Sequence, residues 1–310
     1  MTRSVRVVVG AIVAAVVVVA VYLVVADTAE PPSLTGVVRG APPIFGSTDV
    51  LPPGPTRAVF APDGSRLAVL EGGRVRLAED GLLRSITREG SNVVDVAWFR
   101  NSDVMLIVEG PIPTGGVADV EADGTVRGSI PLDPSITFGA GFGMALLPGN
   151  RKAIVTATER PALSETEHRY LAEVDLETGK TRPLDVDGTG PHIVGEHDVL
   201  YTGLKNTVEL LDLGDGSTQT VATDAHAVGL IRNRWLAYGT DDRVLARPVN
   251  ADGSLGREQI VLDLPPGTDA VAVDPTGAAV LVVGIELTAE GDAVPRLRRV
   301  AIREPDRFQR

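Results

Sequence analysis

The feature that most constrains this chain is a strand–turn–strand unit that recurs along it. An apolar strand runs into a Pro, Gly or Asn turn at RAVFAPDG (57–64), VVDVAWFRN (93–101), GMALLPGN (143–150), PHIVGEHD (191–198), HAVGLIRN (226–233) and DAVAVDPTG (269–277). A second strand follows each: RLAVLEG, DVMLIVEG, KAIVTATE, DVLYTGL, RWLAYGT and AAVLVVG. Short runs of Val, Ile, Leu and Tyr between turn residues are the signature of strands. A third and a fourth strand are joined by tight turns at Asp80-Gly81, Asp123-Gly124, Thr178-Gly179, Asp215-Gly216 and Asp252-Gly253. Glycine accepts positive φ without steric cost, and Asp tolerates it, so these pairs suit hairpins.

The unit is four antiparallel strands over roughly 40–45 residues, the period of a propeller blade. Each sheet alone would expose both faces; neighbours stacked around an axis bury them. The expected fold is all-β, a six-bladed β-propeller over 33–310 preceded by a transmembrane helix. The sixth unit supplies only three strands, DAVAVDP, AAVLVVGIEL and PRLRRVAIRE, while SLTGVVRG (33–40) belongs to no other unit. That segment is expected to add the outer strand of the last blade, closing the ring and removing an exposed edge. The third unit carries a charged insertion, TERPALSETEHRY (158–170), expected to project from one face. Aromatic residues make up 4% of the chain, so Val, Ala and Leu must fill the core. The 34 glycines and 22 prolines favour turns over long helices.

The N-terminus predicts location. Residues 1–6 contain Arg3 and Arg6 and form a short tail; residues 7–26, VVVGAIVAAVVVVAVYLVVA, carry no charge. A twenty-residue helix spans about 30 Å, the thickness of a bilayer core. Residues 27–32 contain Asp27, Glu30 and the helix-breaking Pro31-Pro32, and read as a linker. A cleaved signal peptide has a shorter apolar region and a small-x-small site, which Asp27-Thr28-Ala29-Glu30 matches poorly. The reading is an uncleaved, single-pass anchor. Basic residues before the span keep the N-terminus cytoplasmic and put the propeller outside the cytoplasmic membrane. The chain has no cysteine, which excludes disulfides, thiol nucleophiles and thiolate metal sites. Its net charge of -12 opposes binding to nucleic acid.

FAPDGSRLAV (60–69) resembles the WD40-like PD40 repeat of TolB-type β-propellers, in which an aromatic residue and Pro-Asp-Gly precede a Leu-Ala strand. DAVAVDPTGAAVLVV (269–283) is a weaker copy. The resemblance is good over 57–79, fair over 91–109 and 269–284, and topological between them. The Gly-His and Trp-Asp signatures of WD40 repeats are absent; neither Trp98 nor Trp235 is followed by Asp. Similarity to TolB-type propellers implies an extracytoplasmic protein-binding platform. It carries over no catalytic residue, because the repeat motif is structural.

No catalytic constellation emerges from spacing. His192 and His197, beside Asp198, lie on a strand and a turn rather than at the helical spacing of a zinc protease, so no metal is assigned and both read as exposed loop histidines. DVDGTG (185–190) resembles the start of a calcium loop, with Glu196 at its twelfth position. However, Gly188 falls at position four rather than six, and no apolar helix flanks the stretch. It reads as a link between units. FGAGFG (138–143) lacks the βαβ setting of a phosphate loop and reads as another linker. No cofactor is implied.

Near the start of the first strand of each unit stands a residue that would line one mouth of the central channel: Arg57, Asp95, Phe142, His192, His226 and Asp269. As a group they are the candidate ligand or partner face; singly, each would merely meet channel water. The expected function is a membrane-tethered scaffold for a protein or cell-envelope component. The alternative is a metal-dependent hydrolase of the six-bladed lactonase-like type, with Asp95, Asp269 and Asn92 as candidate ligands. Asp63 belongs to a turn and is not expected to be catalytic.

Overall fold

The computed structural model describes residues 57–71, 73–79, 82–87, 91–100, 102, 104–109, 116–131, 137–138, 143–159, 168–250, 253–287, 293–303, 305 and 308. The expected tail, anchor, linker and closing strand at 33–40 lie outside the described residues, as do Phe142 and most of the insertion at 158–170. Among the described residues no helix is long and apolar enough to cross a membrane.

The first sheet runs in order through β1 (Arg57–Phe60), β2 (Leu67–Glu71), β3 (Arg74–Glu79) and β4 (Leu82–Ser85). The second runs through β5 (Val93–Trp98), β6 (Val104–Glu109), β7 (Gly116–Glu121) and β8 (Val126–Pro131). The third sheet contains β9 (Thr137–Phe138), β10 (Met144–Leu146), β11 (Lys152–Glu159), β12 (His168–Asp175), β13 (Thr181–Val194), β14 (Asp198–Gly203), β15 (Thr207–Asp212) and β16 (Thr218–Thr223). Next come β17 (His226–Ile231), β18 (Trp235–Gly239), β19 (Arg243–Pro248) and β20 (Gln259–Asp263). The last sheet holds β21 (Thr268–Val273), β22 (Ala279–Leu287) and β23 (Ala293–Ala301). The pairings between consecutive strands are antiparallel.

The sequence predicted a link at 185–190, but these residues lie within β13. That strand pairs with β12 from Thr181 to Asp187 and with β14 from Gly188 to Val194. It is the outer strand of one four-stranded unit and the inner strand of the next, so the third sheet holds two units. Asp185 adopts φ 56 at the register shift between the Ala172–Pro183 and Tyr170–Asp187 pairs, just before the strand changes partner.

Alternation within each strand sends side chains to both faces, and six apolar clusters fill the spaces between neighbouring units. Ala68, Leu70 and Val75 meet Trp98, Met105 and Ile107 across the first seam. Ala97, Val108 and Val117 meet Met144, Val155 and Ala172 at the second. Ile154 and Leu171 meet Val199, Tyr201 and Leu211 at the third, and Leu200, Val208 and Val221 meet Leu236 and Tyr238 at the fourth. Ile231, Trp235 and Val244 meet Val273, Val280 and Val300 at the fifth. Ala272, Leu281 and Leu297 meet Phe60, Leu67 and Val69 at the last, joining the final sheet to the first. The strands β1, β5, β10, β13, β17 and β21 contact one another in that order, and β21 returns to β1. A Val or Leu side chain so buried contributes about 1.5–3 kcal/mol, and the seams are mainly aliphatic with one or two aromatic rings in most of them.

The turns among the described residues behave as predicted, and Asp80-Gly81 lies outside those residues. Gly64, Gly124, Gly179, Gly216 and Gly253 have φ between 72 and 93, beyond easy reach of other residues. Preceding acids brace their own turns. Asp63 Oδ1 accepts from Ser65 N at 3.0 Å and Ser65 Oγ at 2.7 Å, and Asp123 Oδ1 accepts from Thr125 N at 2.8 Å. Asp63 is therefore a turn residue. The equivalent segment of the last sheet uses Asp274, which is 1% exposed. It accepts from Thr276 N and Oγ1 and from Arg299 Nη2 at 2.9, 2.7 and 2.9 Å. Arg299 in turn lies over the Phe60 ring, 5.7 Å from its centroid, across the last seam.

Candidate functional site

The inner strands enclose a cavity of about 1390 Å³. Arg57, His192, His226 and Asp269 line it, together with Met144, Thr202 and the glycine-rich stretch Gly188 to Gly190. Four of the six residues singled out from sequence therefore share one cavity. Asp95 does not line it: this residue is 4% exposed and lies behind Arg57. Its expected place at the mouth is corrected by its pairing. Phe142 lies outside the described residues.

Arg57 and Asp95 form a buried ion pair between the first two sheets, with side chains 13% and 6% exposed. Arg57 Nη2 donates to Met144 O at 3.1 Å, reaching the third sheet. Asp95 Oδ2 accepts from Gly143 N at 3.1 Å, and Oδ1 accepts from Val96 N at 2.8 Å. One carboxylate thus links three consecutive inner strands. Burial pushes its pKa up, against the opposing pull of the Arg57 charge and the N–H donors.

His192 lies within β13 rather than in a loop, contrary to the loop reading of that histidine, and is partly buried. Burial, and then the Arg57 charge, push its pKa down to about 3. Across the fourth seam, Ala227 N donates to Thr202 Oγ1 at 2.8 Å. Across the third, Gly190 N donates to Thr156 Oγ1 at 3.3 Å. His226 makes the fifth link: its Nε2 lies 2.8 Å from Ala270 O and 3.3 Å from Asp269 Oδ1. The first-strand polar residues are thus largely stitches between sheets.

Glycines in second strands make room for inner-strand side chains. Gly239 stands opposite His226, and a Cβ there would lie 2.7 Å from His226 Cε1. Gly284 stands opposite Thr268 in the same way, where a Cβ would lie 2.9 Å from Cγ2. The glycine repeated in AYGT and VVGI is the sequence signal for this packing; in YTGL the matching Gly203 faces Gly188 instead. The two threonines carried no signal of their own.

The candidate metal ligands do not assemble. Asp95 is committed to its three partners, Asn92 is exposed, and Asp269 faces His226. Among the described residues no group of three His, Cys, Asp or Glu side chains could hold a metal ion. His197 is exposed, and His168 pairs with Asp187 at 2.6 Å on the outer part of β12 and β13.

A closed set of sheets around a cavity is the β-propeller class, and comparison with solved structures places the chain among TolB-like propellers by fold. A protein assigned as TolB from Agrobacterium tumefaciens aligns with a TM-score of 0.52 at 11% identity, over 81% of this chain and 93% of its own. TolB from Acinetobacter baumannii aligns at 0.48 and 12%, over 80% of this chain and 63% of its own length. An oligogalacturonate lyase in complex with manganese aligns at 0.49 and 11%, over 80% and 89%. No family model matches the sequence, and no curated protein matches it.

Proposed function

We propose that this chain is a membrane-tethered, extracytoplasmic six-bladed propeller that serves as a binding scaffold for a protein or another envelope component. The observation that carries this reading is the use made of the inner polar groups. Arg57, Asp95 and His226 are spent holding neighbouring sheets together, which leaves a large cavity and an exposed rim rather than an array of reactive groups. Six apolar seams support six blades. Among the described residues β23 pairs only with β22, and 33–40 is the segment proposed to cover its other edge. The apolar stretch 7–26 is the proposed anchor.

Membrane fractionation and pull-down test the reading. The full chain is expected to resist alkaline extraction from membranes and to be cut by external protease in cells whose outer layers are opened. It is also expected to retain an envelope partner when captured in mild detergent. Recovery in the soluble fraction, or capture with no partner under crosslinking, overturns it.

A further inference from the structure

The rim at the cavity mouth has a chemical character of its own over its last three units. The pairings Gly188 with Gly203, His226 with Gly239 and Thr268 with Gly284 are the first between inner and second strands in these units, and bring the second strands to the mouth. The residues that follow those glycines are Leu204, Thr240 and Ile285, equivalent positions in successive units. All three line the cavity. Leu204 is 60% exposed and Ile285 is 61% exposed. They are two of only four large hydrophobic side chains exposed among the described residues; Val126 and Ile260 lie away from the cavity. Aliphatic side chains held open at matching register on a cavity rim mark an interaction surface.

The charge of that arc selects the partner. Asp224, Asp241 and Asp269 line the cavity between the two aliphatic positions. Of the arginines that line the cavity, Arg57 is paired with Asp95, and Arg100 and Arg169 come from the second and third units, outside this arc. Beside the arc, Arg243 is paired with Asp263, with Nε and Oδ1 3.2 Å apart, and Lys205 is exposed but does not line the cavity. The chain as a whole carries a net charge of -12, so two copies repel each other. We propose that this arc binds an extended, cationic segment of a partner protein. Apolar side chains of the segment cover Leu204 and Ile285, and its Lys or Arg side chains face Asp224, Asp241 and Asp269. The inference rests on the scaffold reading and names its partner's chemistry.

The test uses the full chain in a non-ionic detergent and two fluorescein-labelled peptides of about twelve residues, long enough to cross a recognition groove. One alternates Leu and Lys; the other alternates Leu and Glu. Fluorescence anisotropy is expected to show binding of the Lys peptide, weakening several-fold between about 50 and about 300 mM salt. The Leu204→Ser, Ile285→Ser double variant is expected to weaken it about tenfold or more, since both substitutions remove burial at the contact. Asp241→Asn and Asp269→Asn each weaken it about two- to fivefold, the scale of an exposed ion pair. Leu204, Asp241 and Ile285 are exposed and Asp269 is half-buried beside His226, so circular dichroism should confirm an unchanged fold in each variant. Equal or tighter binding of the Glu peptide, an unchanged affinity in the double variant, or self-association of the chain through this rim overturns the proposal. A partner captured by the full chain but still retained by the double variant removes this inference and leaves the scaffold reading standing; capture of no partner removes the scaffold reading itself.

Discussion

Replacing Asp95 by alanine should unfold this protein at a markedly lower temperature. The carboxylate is 4% exposed and accepts from Arg57 in β1, Val96 N in β5 and Gly143 N just before β10. Its removal leaves the buried Arg57 charge facing a neutral acceptor, Met144 O, and strips Gly143 N of its partner. Breaking one side of a buried ion pair costs about 3–5 kcal/mol. For a chain of this size each kcal/mol lowers Tm by about 2–4 °C, so the fall should be about 6–20 °C. Differential scanning fluorimetry and urea unfolding measure it. The double variant Arg57→Met, Asp95→Leu fills the same space without charge and should lose less than Asp95→Ala alone. A Tm for Asp95→Ala within about 1 °C of the parent would refute the argument that this residue stitches the ring.

Four further outcomes follow from the same geometry. His192 has a folded pKa of about 3 against an ordinary 6.5, so the unfolded state binds its proton first. Stability present above pH 6.5 is then lost as pH falls towards 3, by about 2 kcal/mol between pH 7 and pH 5 for this residue, and His192→Gln should flatten that slope in urea titrations. Phe308 is fully buried and packs edge-on to Trp235 at 5.2 Å, so Phe308→Ala should cost about 3–5 kcal/mol and shift tryptophan emission to the red. Gly239→Ala should push the His226 ring aside, costing about 1–3 kcal/mol and moving its imidazole NMR signals. Asp63→Ala should cost only about 0.5–1.5 kcal/mol by thermal melt, since it frees a turn hydroxyl and an N–H already near water.

The strands and turns were legible because they depend on neighbours in sequence. FAPDGSRLAV reads as strand, turn, strand from its own residues, and the Asp63 bonds to Ser65 and the positive φ of Gly64 are local matters. The site was half legible. Position along the repeat was enough to put Arg57, His192, His226 and Asp269 at one cavity. It was not enough to show that Asp95 turns inward to Arg57, because that pairing depends on how two separate sheets face each other. The run of β13 through DVDGTG was hidden for a related reason: Asp and Gly weaken a strand pattern, and two flanking sheets override that preference here. Phe308, after the break at Pro305, offered no periodic pattern to mark its burial against Trp235.

A photo-crosslinking residue placed at Leu204 of the full chain in living cells tests the central claim most directly, with Val126 as the comparison site. Both positions are similarly exposed, at 60% and 61%, but only Leu204 opens on the cavity. A propeller that binds its partner at the rim predicts a discrete adduct from Leu204 and none from Val126. Equal adducts from both positions, or none from Leu204, would contradict it.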